Sequence, residues 1–144
     1  MNLLEQLKRD EGEVLHVYLD SRNIRTAGVG HNLESHGIDL EVGTPISQAQ
    51  SDLWLQADIQ NATAKVDEHL PWATELDEAR HGVLVNMCFN MGIGGLLGFK
   101  NTLAAIKAGE WNLAALGMLH SAWATQVGAR AHRLATQIET GVWQ

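Results

Sequence analysis

Apolar and polar positions alternate along this chain in two distinct rhythms. Residues 2–11 set Leu3, Leu4 and Leu7 on one side and Glu5, Lys8 and Arg9 on the other, which predicts a short amphipathic helix closed by Glu11. Residues 14–20 (Val-Leu-His-Val-Tyr-Leu-Asp) and 24–29 read as extended runs, with a third at 31–34. Turns near Ser21-Arg22-Asn23 and Gly30 separate them, so the pattern predicts a small antiparallel sheet. Residues 34–46 read as irregular, with Gly37, Gly43 and Pro45 as breakers. The helical rhythm then returns. Ser47-Gln48-Ala49-Gln50 has the form of a capping box, and Leu55, Ile59, Ala62, Val66 and Leu70 recur at spacings of four and three. A helix from there to about His69 would be roughly 33 Å long and would end at Pro71.

Residues 75–91 form a second strong helix, apolar on every side through Val83, Leu84, Val85, Met87, Cys88, Phe89 and Met91, and therefore a buried hub. Gly92, Gly94, Gly95 and Gly98 surround a short helix. Asn101 reads as the N-cap of a helix that stops at Gly109, followed by helices at 111–119, near 120–125 and at about 128–139. No repeat or composition shift divides the chain. The predicted class is α+β, mostly helical, in a single domain. A small antiparallel β-containing N-terminal lobe (about 12–46) leads into a long connecting helix (about 47–70). A helical lobe follows, made of about 71–144 with 1–11, and a cleft between the lobes is the expected place for a polymeric ligand.

Composition narrows the functions open to such a fold. Ten Lys and Arg against 17 Asp and Glu give a formal charge of −7, which argues against a nucleic-acid partner. The single cysteine, Cys88, leaves no disulfide framework and sits in an apolar segment, as a buried small side chain does. No apolar run is long enough to span a bilayer, and the first residues read as an amphipathic helix, not a secretory leader. The expectation is a monomer without stable membrane association that accumulates in the cytoplasm. No cofactor motif is present. His31, His36 and Asp39 match no metal-ligand spacing and read as solvated loop residues, so no metal site is assigned.

The candidate chemistry lies in the first thirty-one residues. Glu11 ends a helix, Asp20 ends a strand, and Thr26 opens Thr26-Ala27-Gly28-Val29-Gly30-His31, whose glycines permit tight turns. Glycosidic hydrolysis needs one carboxyl to protonate the leaving oxygen and a second, ionised, to activate water or stabilise the oxocarbenium-like centre. An acid pair alone is more often a solvated helix end and a turn former. The longer string Glu11-Gly12, Tyr18-Leu19-Asp20, Thr26-x-Gly-x-Gly-His31 resembles the phage-type lysozymes of the T-even phage family, glycoside hydrolase family 24. Further matches follow in order. They are Asn86-Met-Cys-Phe89-Asn-Met-Gly92, Gly98-Phe99-x-Asn101-Thr102-Leu103, Trp111, Ser121-x-Trp123, Arg130-Ala131-x-Arg133 and Thr140-Gly-x-Trp143.

The resemblance implies a lysozyme-like fold and an endolysin: a muramidase cleaving the β-1,4 bond between N-acetylmuramic acid and N-acetylglucosamine, with inversion. It implies Glu11 as general acid and Asp20 as the carboxylate that positions or activates water, helped by Thr26. Arg130 resembles the family's cleft arginine, which pairs with the catalytic Glu, and His31 matches a histidine that pairs with an Asp on the long helix, here Asp58. Phe89 and Thr102 fall where the family touches saccharide, although Phe89 reads equally as core. Asn32 stands in place of an apolar cleft residue, and Gly117 in place of a polar one. The implied partners are bacterial peptidoglycan and a holin, whose membrane lesion would release the enzyme from the host cytoplasm to the periplasmic wall. Two other readings remain open at this stage. A lytic transglycosylase needs the acid but no water-activating Asp, and a non-catalytic peptidoglycan-binding module would keep the fold alone.

Overall fold

The chain, described from Met1 to Gln144 by a computed structural model, opens with α1 (Leu3–Glu11). Leu7 is its buried apolar anchor. The helix stops because Gly12 takes a left-handed conformation (φ 77°) and its N–H closes on the Lys8 carbonyl at 3.0 Å. Three strands follow, β1 (Val14–Leu19), β2 (Arg25–Gly28) and β3 (His31–Asn32), in an antiparallel sheet of that order. Tyr18 stands opposite Thr26, and Thr26 opposite Asn32, while Ala27 faces His31. Side chains directly opposite share a face of the sheet, so Tyr18, Thr26 and Asn32 form one row.

The strands are shorter than the apolar runs suggest, for local reasons. Asp20 and Ile24 belong to the turn that joins β1 to β2. After Asn32 the chain folds into a turn in which His36 and Ile38 both donate to the Leu33 carbonyl. The stretch read as irregular also has an ordered role. Val17 N–H donates to Thr44, Gly43 N–H to Val17 and Ile46 N–H to Leu15, and His16 bridges to Pro45. This segment therefore covers the β1 edge that β2 leaves open. Val17, Ala27, Leu33 and Ile46 make a small core, with Ile38, Leu40 and Trp54 packed against it.

α2 (Gln48–His69) is capped by Ser47, whose hydroxyl accepts from the Gln50 N–H at 3.1 Å. The chain divides into two compact units, and the division falls inside this helix. One unit is Leu4–Asn61, the other Met1–Leu3 with Ala62–Gln144.

The second unit is helical. After a 3-10 turn (Pro71–Glu75) come α3 (Glu78–Leu97), α4 (Lys100–Lys107), α5 (Trp111–Leu119), α6 (Ala122–Val127) and α7 (Ala129–Thr140). α3 starts at Asp77, whose carboxylate caps the Arg80 N–H, and so begins slightly later than its apolar pattern. Val83 through Cys88 are all buried, as a hub helix requires, and each large aliphatic there is worth about 1.5–3 kcal/mol of burial. Gly92 (φ 77°, ψ 166°) breaks the helix and leaves a short second piece. The Asn101 cap is not realised. α4 begins at Lys100 with Phe99 at the cap position, which puts exposed Asn101 inside the first turn. Ser121 caps α6, and left-handed Gly141 ends α7. No single helix is long and apolar enough to cross a membrane.

Candidate active site

Glu11, Asp20 and Thr26 all lie in the Leu4–Asn61 unit. Glu11 is half-buried at the end of α1, and the residues flanking it are tied to the start of α2. Lys8 Nζ lies 2.8 Å from Asp52 Oδ1 and 3.8 Å from Glu13 Oε2. Glu13 in turn accepts from the Ser51 hydroxyl at 2.7 Å and from Gln48 Nε2 at 3.0 Å. The hydrogen bond to Asp52 raises the Lys8 ammonium above its ordinary range, and the bonds from Lys8 and then Gln48 hold the Asp52 carboxyl below its own. Gly28, at the far end of β2 (φ +65°), touches the same assembly, since a Cβ there would sit 2.9 Å from Ser51 Oγ.

Asp20 is the knot of the turn between β1 and β2. Its Oδ1 accepts from the N–H groups of Arg22 (2.8 Å) and Ile24 (3.0 Å). Its own N–H donates to Ile24, and its carbonyl receives the N–H of left-handed Asn23 (φ 64°). One carboxylate oxygen is thus committed to the turn, which leaves Oδ2 for a water. Thr26 is buried, and its hydroxyl donates to the Ile24 carbonyl at 2.9 Å. With its single proton so used, the Thr26 oxygen has lone pairs left to accept a hydrogen bond. Tyr18, beside Thr26 in the row, reports on both acids. Burial pushes its phenol above the ordinary range, and the negative charges of Asp20 and then Glu11 push it further. Tyr18 lies within the string that resembles the family, but the sequence alone assigned it no place in the site. Its period-two phase with Thr26 and Asn32 is the signal that could have done so.

Asn32 is half-buried, and its Oδ1 caps the next turn by accepting from the Ser35 N–H at 2.9 Å. His31 is not a solvated loop residue. It is 3% exposed in β3, its Nδ1 lies 2.7 Å from Asp58 Oδ2, and Trp54 stacks on its ring at 4.8 Å and 8°. Asp39 instead pairs with Arg25 at 2.9 Å.

Phe89, Thr102, Gly117 and Arg130 lie in the other unit. Phe89 is half-buried, whereas Val83–Cys88 before it are buried. Thr102 and Gly117 line an open pocket of about 450 Å³ with Gly98, Phe99, Lys100 and Asn101. A side chain at Gly117 would collide with the Thr102 hydroxyl. Arg130 is buried and donates through Nε (3.0 Å) and Nη2 (2.8 Å) to Oδ1 of buried Asn86.

The sequence model of the family described as phage lysozyme matches residues 8–137, nearly the whole chain. The chain belongs to the phage lysozyme family. Membership makes it a lysozyme-type cell-wall hydrolase, and the α+β, mostly helical architecture is that of a phage lysozyme. Among relatives, it is 29% identical over 161 residues to probable T4-type lysozyme 1 of Dictyostelium discoideum, covering 97% of this chain and 95% of that one. It is 32% identical over 97 residues to the endolysin of Salmonella phage P22, covering 67% and 65%. It is also 30% identical over 161 residues to the pre-baseplate central spike protein Gp5 of Enterobacteria phage T4, where the match takes up 98% of this chain and 28% of the longer one.

Proposed function

We propose that this phage lysozyme is a muramidase, hydrolysing the β-1,4 bond between N-acetylmuramic acid and N-acetylglucosamine in bacterial peptidoglycan. In this reading Glu11 protonates the leaving glycosidic oxygen. Asp20 takes a proton from the attacking water through Oδ2, and Thr26 accepts the water's second hydrogen. Attack on the face opposite the leaving group inverts the anomeric centre. The observation that carries the reading is the match to the phage lysozyme family over residues 8–137, a span that includes Glu11, Asp20 and Thr26. The commitment of Asp20 Oδ1 to two backbone N–H groups supports the assignment of Oδ2 to water.

Asn32, Phe89, Thr102 and Gly117 are proposed to contact saccharide, and Arg130 to act as a positioning residue. His31 and Asp58 support β3, the strand beside Thr26. We further read the 144 residues as one monomeric catalytic domain, serving host lysis for a phage or prophage. A holin lesion would let it out of the host cytoplasm.

The test is clearing of purified peptidoglycan by the intact chain beside Glu11→Gln and Asp20→Asn, with product ends and anomeric configuration assayed. General acid–base catalysis contributes about 10²–10⁴-fold, so each variant should lose at least about 10² in rate while wild type releases reducing ends. Clearing that leaves anhydro ends would replace hydrolysis with transglycosylation. Sedimentation with wall, without clearing, would replace it with binding alone.

A further inference from the structure

The turn after β3 and one face of α2 bring together a group of side chains that take no part in the proposed proton transfers, two of which, His31 and Asp58, are proposed above only to support β3. The chain reverses at Leu33–Gly37, where His36 N–H donates to Leu33 and Gly37 N–H to Glu34, and this folds His36 back over His31. Their ring centroids are 4.2 Å apart with planes tilted by 32°. From α2, Trp54 and Asp58 are four residues apart and so share a helix face, and both touch His31. One ligand atom each from His31, His36 and Asp58 lies within 4.8 Å of the other two.

The hydrogen bonds decide which nitrogens remain. His31 Nδ1 faces the Asp58 carboxylate at 2.7 Å, and a carboxylate accepts, so Nδ1 carries the proton and Nε2 the lone pair. That Nε2 is buried and has no hydrogen-bond partner. A buried acceptor left unmatched is uncommon and calls for an explanation. His36 repeats the arrangement. Its Nδ1 lies 2.8 Å from the Asn32 carbonyl, which only accepts, so its Nε2 also presents a lone pair. Histidines that bind metal show this pattern, one nitrogen donating to a carboxylate or backbone carbonyl and the other ligating.

We propose that His31 and His36 bind a late first-row divalent ion of the Zn²⁺, Ni²⁺ or Cu²⁺ class, with Asp58 holding the His31 tautomer and offsetting the ion's charge. Imidazole ligands favour these ions over Mg²⁺ and Ca²⁺, which prefer oxygen. Ligands about 2.0–2.1 Å from a tetrahedral ion are about 3.3 Å apart. The two rings now lie face over face, so His36, exposed on a turn, must swing off the His31 ring to bring its Nε2 to that separation. Water completes the shell. An ion bound there clips the turn after β3 to the strand beneath it, and so stabilises the folded state.

The test is a Zn²⁺ titration of the full chain by calorimetry, with thermal unfolding alongside, for wild type, His36→Asn, Asp58→Asn and the exposed control His132→Asn, which belongs to the other unit. The expected result is one equivalent bound at micromolar affinity with a rise in Tm, and no response to Mg²⁺. His36→Asn should weaken binding tenfold or more without altering the far-UV spectrum, and His132→Asn should leave it unchanged. Asp58→Asn should also weaken it, since outer partners of this kind are worth 10–100-fold. No binding below millimolar Zn²⁺, or equal affinity in wild type and His36→Asn, would overturn the assignment.

Discussion

Replacing Gly28 with alanine tests the link between the strand that carries Thr26 and the helix that braces Glu11. Two effects add. A left-handed backbone at φ +65° costs a non-glycine residue about 1–2 kcal/mol. The new methyl would also stand 2.9 Å from Ser51 Oγ, so the hydroxyl must turn away from Glu13, to which it donates at 2.7 Å. A hydrogen bond to a charged acceptor is worth about 1.5–3 kcal/mol, and Glu13 keeps its bonds from Gln48, which favours the lower end. The expected total is about 2.5–4 kcal/mol. Gly30 supplies the control, because it has nearly the same φ (+64°) but nothing within 4 Å of a Cβ. Gly30→Ala should therefore cost only the backbone strain, about 1–2 kcal/mol. Urea unfolding by far-UV circular dichroism measures both, with unchanged m-values as the check that only the native state is affected. In a Ser51→Ala background the extra cost of Gly28→Ala should largely vanish, a coupling that a double-mutant cycle isolates. Equal losses for the Gly28 and Gly30 variants, or no coupling to Ser51, would refute the argument.

Two further outcomes follow from groups already described. The Asp52 carboxyl is held below its ordinary range, so the Lys8–Asp52 bond stabilises the fold above the unfolded carboxyl's value and loses that effect as pH falls through the depressed one. Raised Lys8 sets the opposite limb, lost only as pH climbs through the elevated ammonium value. Asp52→Asn should lower Tm at neutral pH and converge with wild type in strong acid, as a thermal series from pH 2 to 7 would record. Gly117→Ala should turn the Thr102 hydroxyl out of its present place in the pocket that both residues line. Kinetics on soluble peptidoglycan fragments should show KM raised several-fold with kcat nearly unchanged, because Gly117 and Thr102 are proposed to contact saccharide and take no part in the proposed proton transfers.

What could be read from the chain follows the range over which each signal acts. Ser47 before α2, Gly12 after α1 and the apolar run 83–88 announce themselves locally, through a cap, a left-handed residue and a period. The proposed cap at Asn101 failed because a good N-cap residue also tolerates the first turn, and Phe99, one residue before Lys100, took the cap position instead. The segment 34–46 carries no alternation, so its pairing with β1 was invisible until the strand edge existed for it to cover. His31 shows the limit most clearly. Spacing along the chain grouped it with His36 and Asp39 as solvated loop residues, and only the family resemblance pointed to Asp58. The fold sends Asp39 to Arg25 and brings Asp58 across 27 residues, a distance no local pattern encodes.

The turn tied by Asp20 has a consequence for how such a chain can diverge. Oδ1 of this residue fixes the number of residues between Leu19 and Arg25, and the pairing of Tyr18 with Thr26 depends on that count. Gain or loss of one residue there would rotate the whole of β2 by one side chain and exchange the Thr26 hydroxyl for its neighbour's side chain. Lineages that vary in length should therefore accept insertions between Glu34 and Val42, where most side chains are solvated. They should hold the Asp20–Ile24 connection at constant length, whatever sugars they come to prefer.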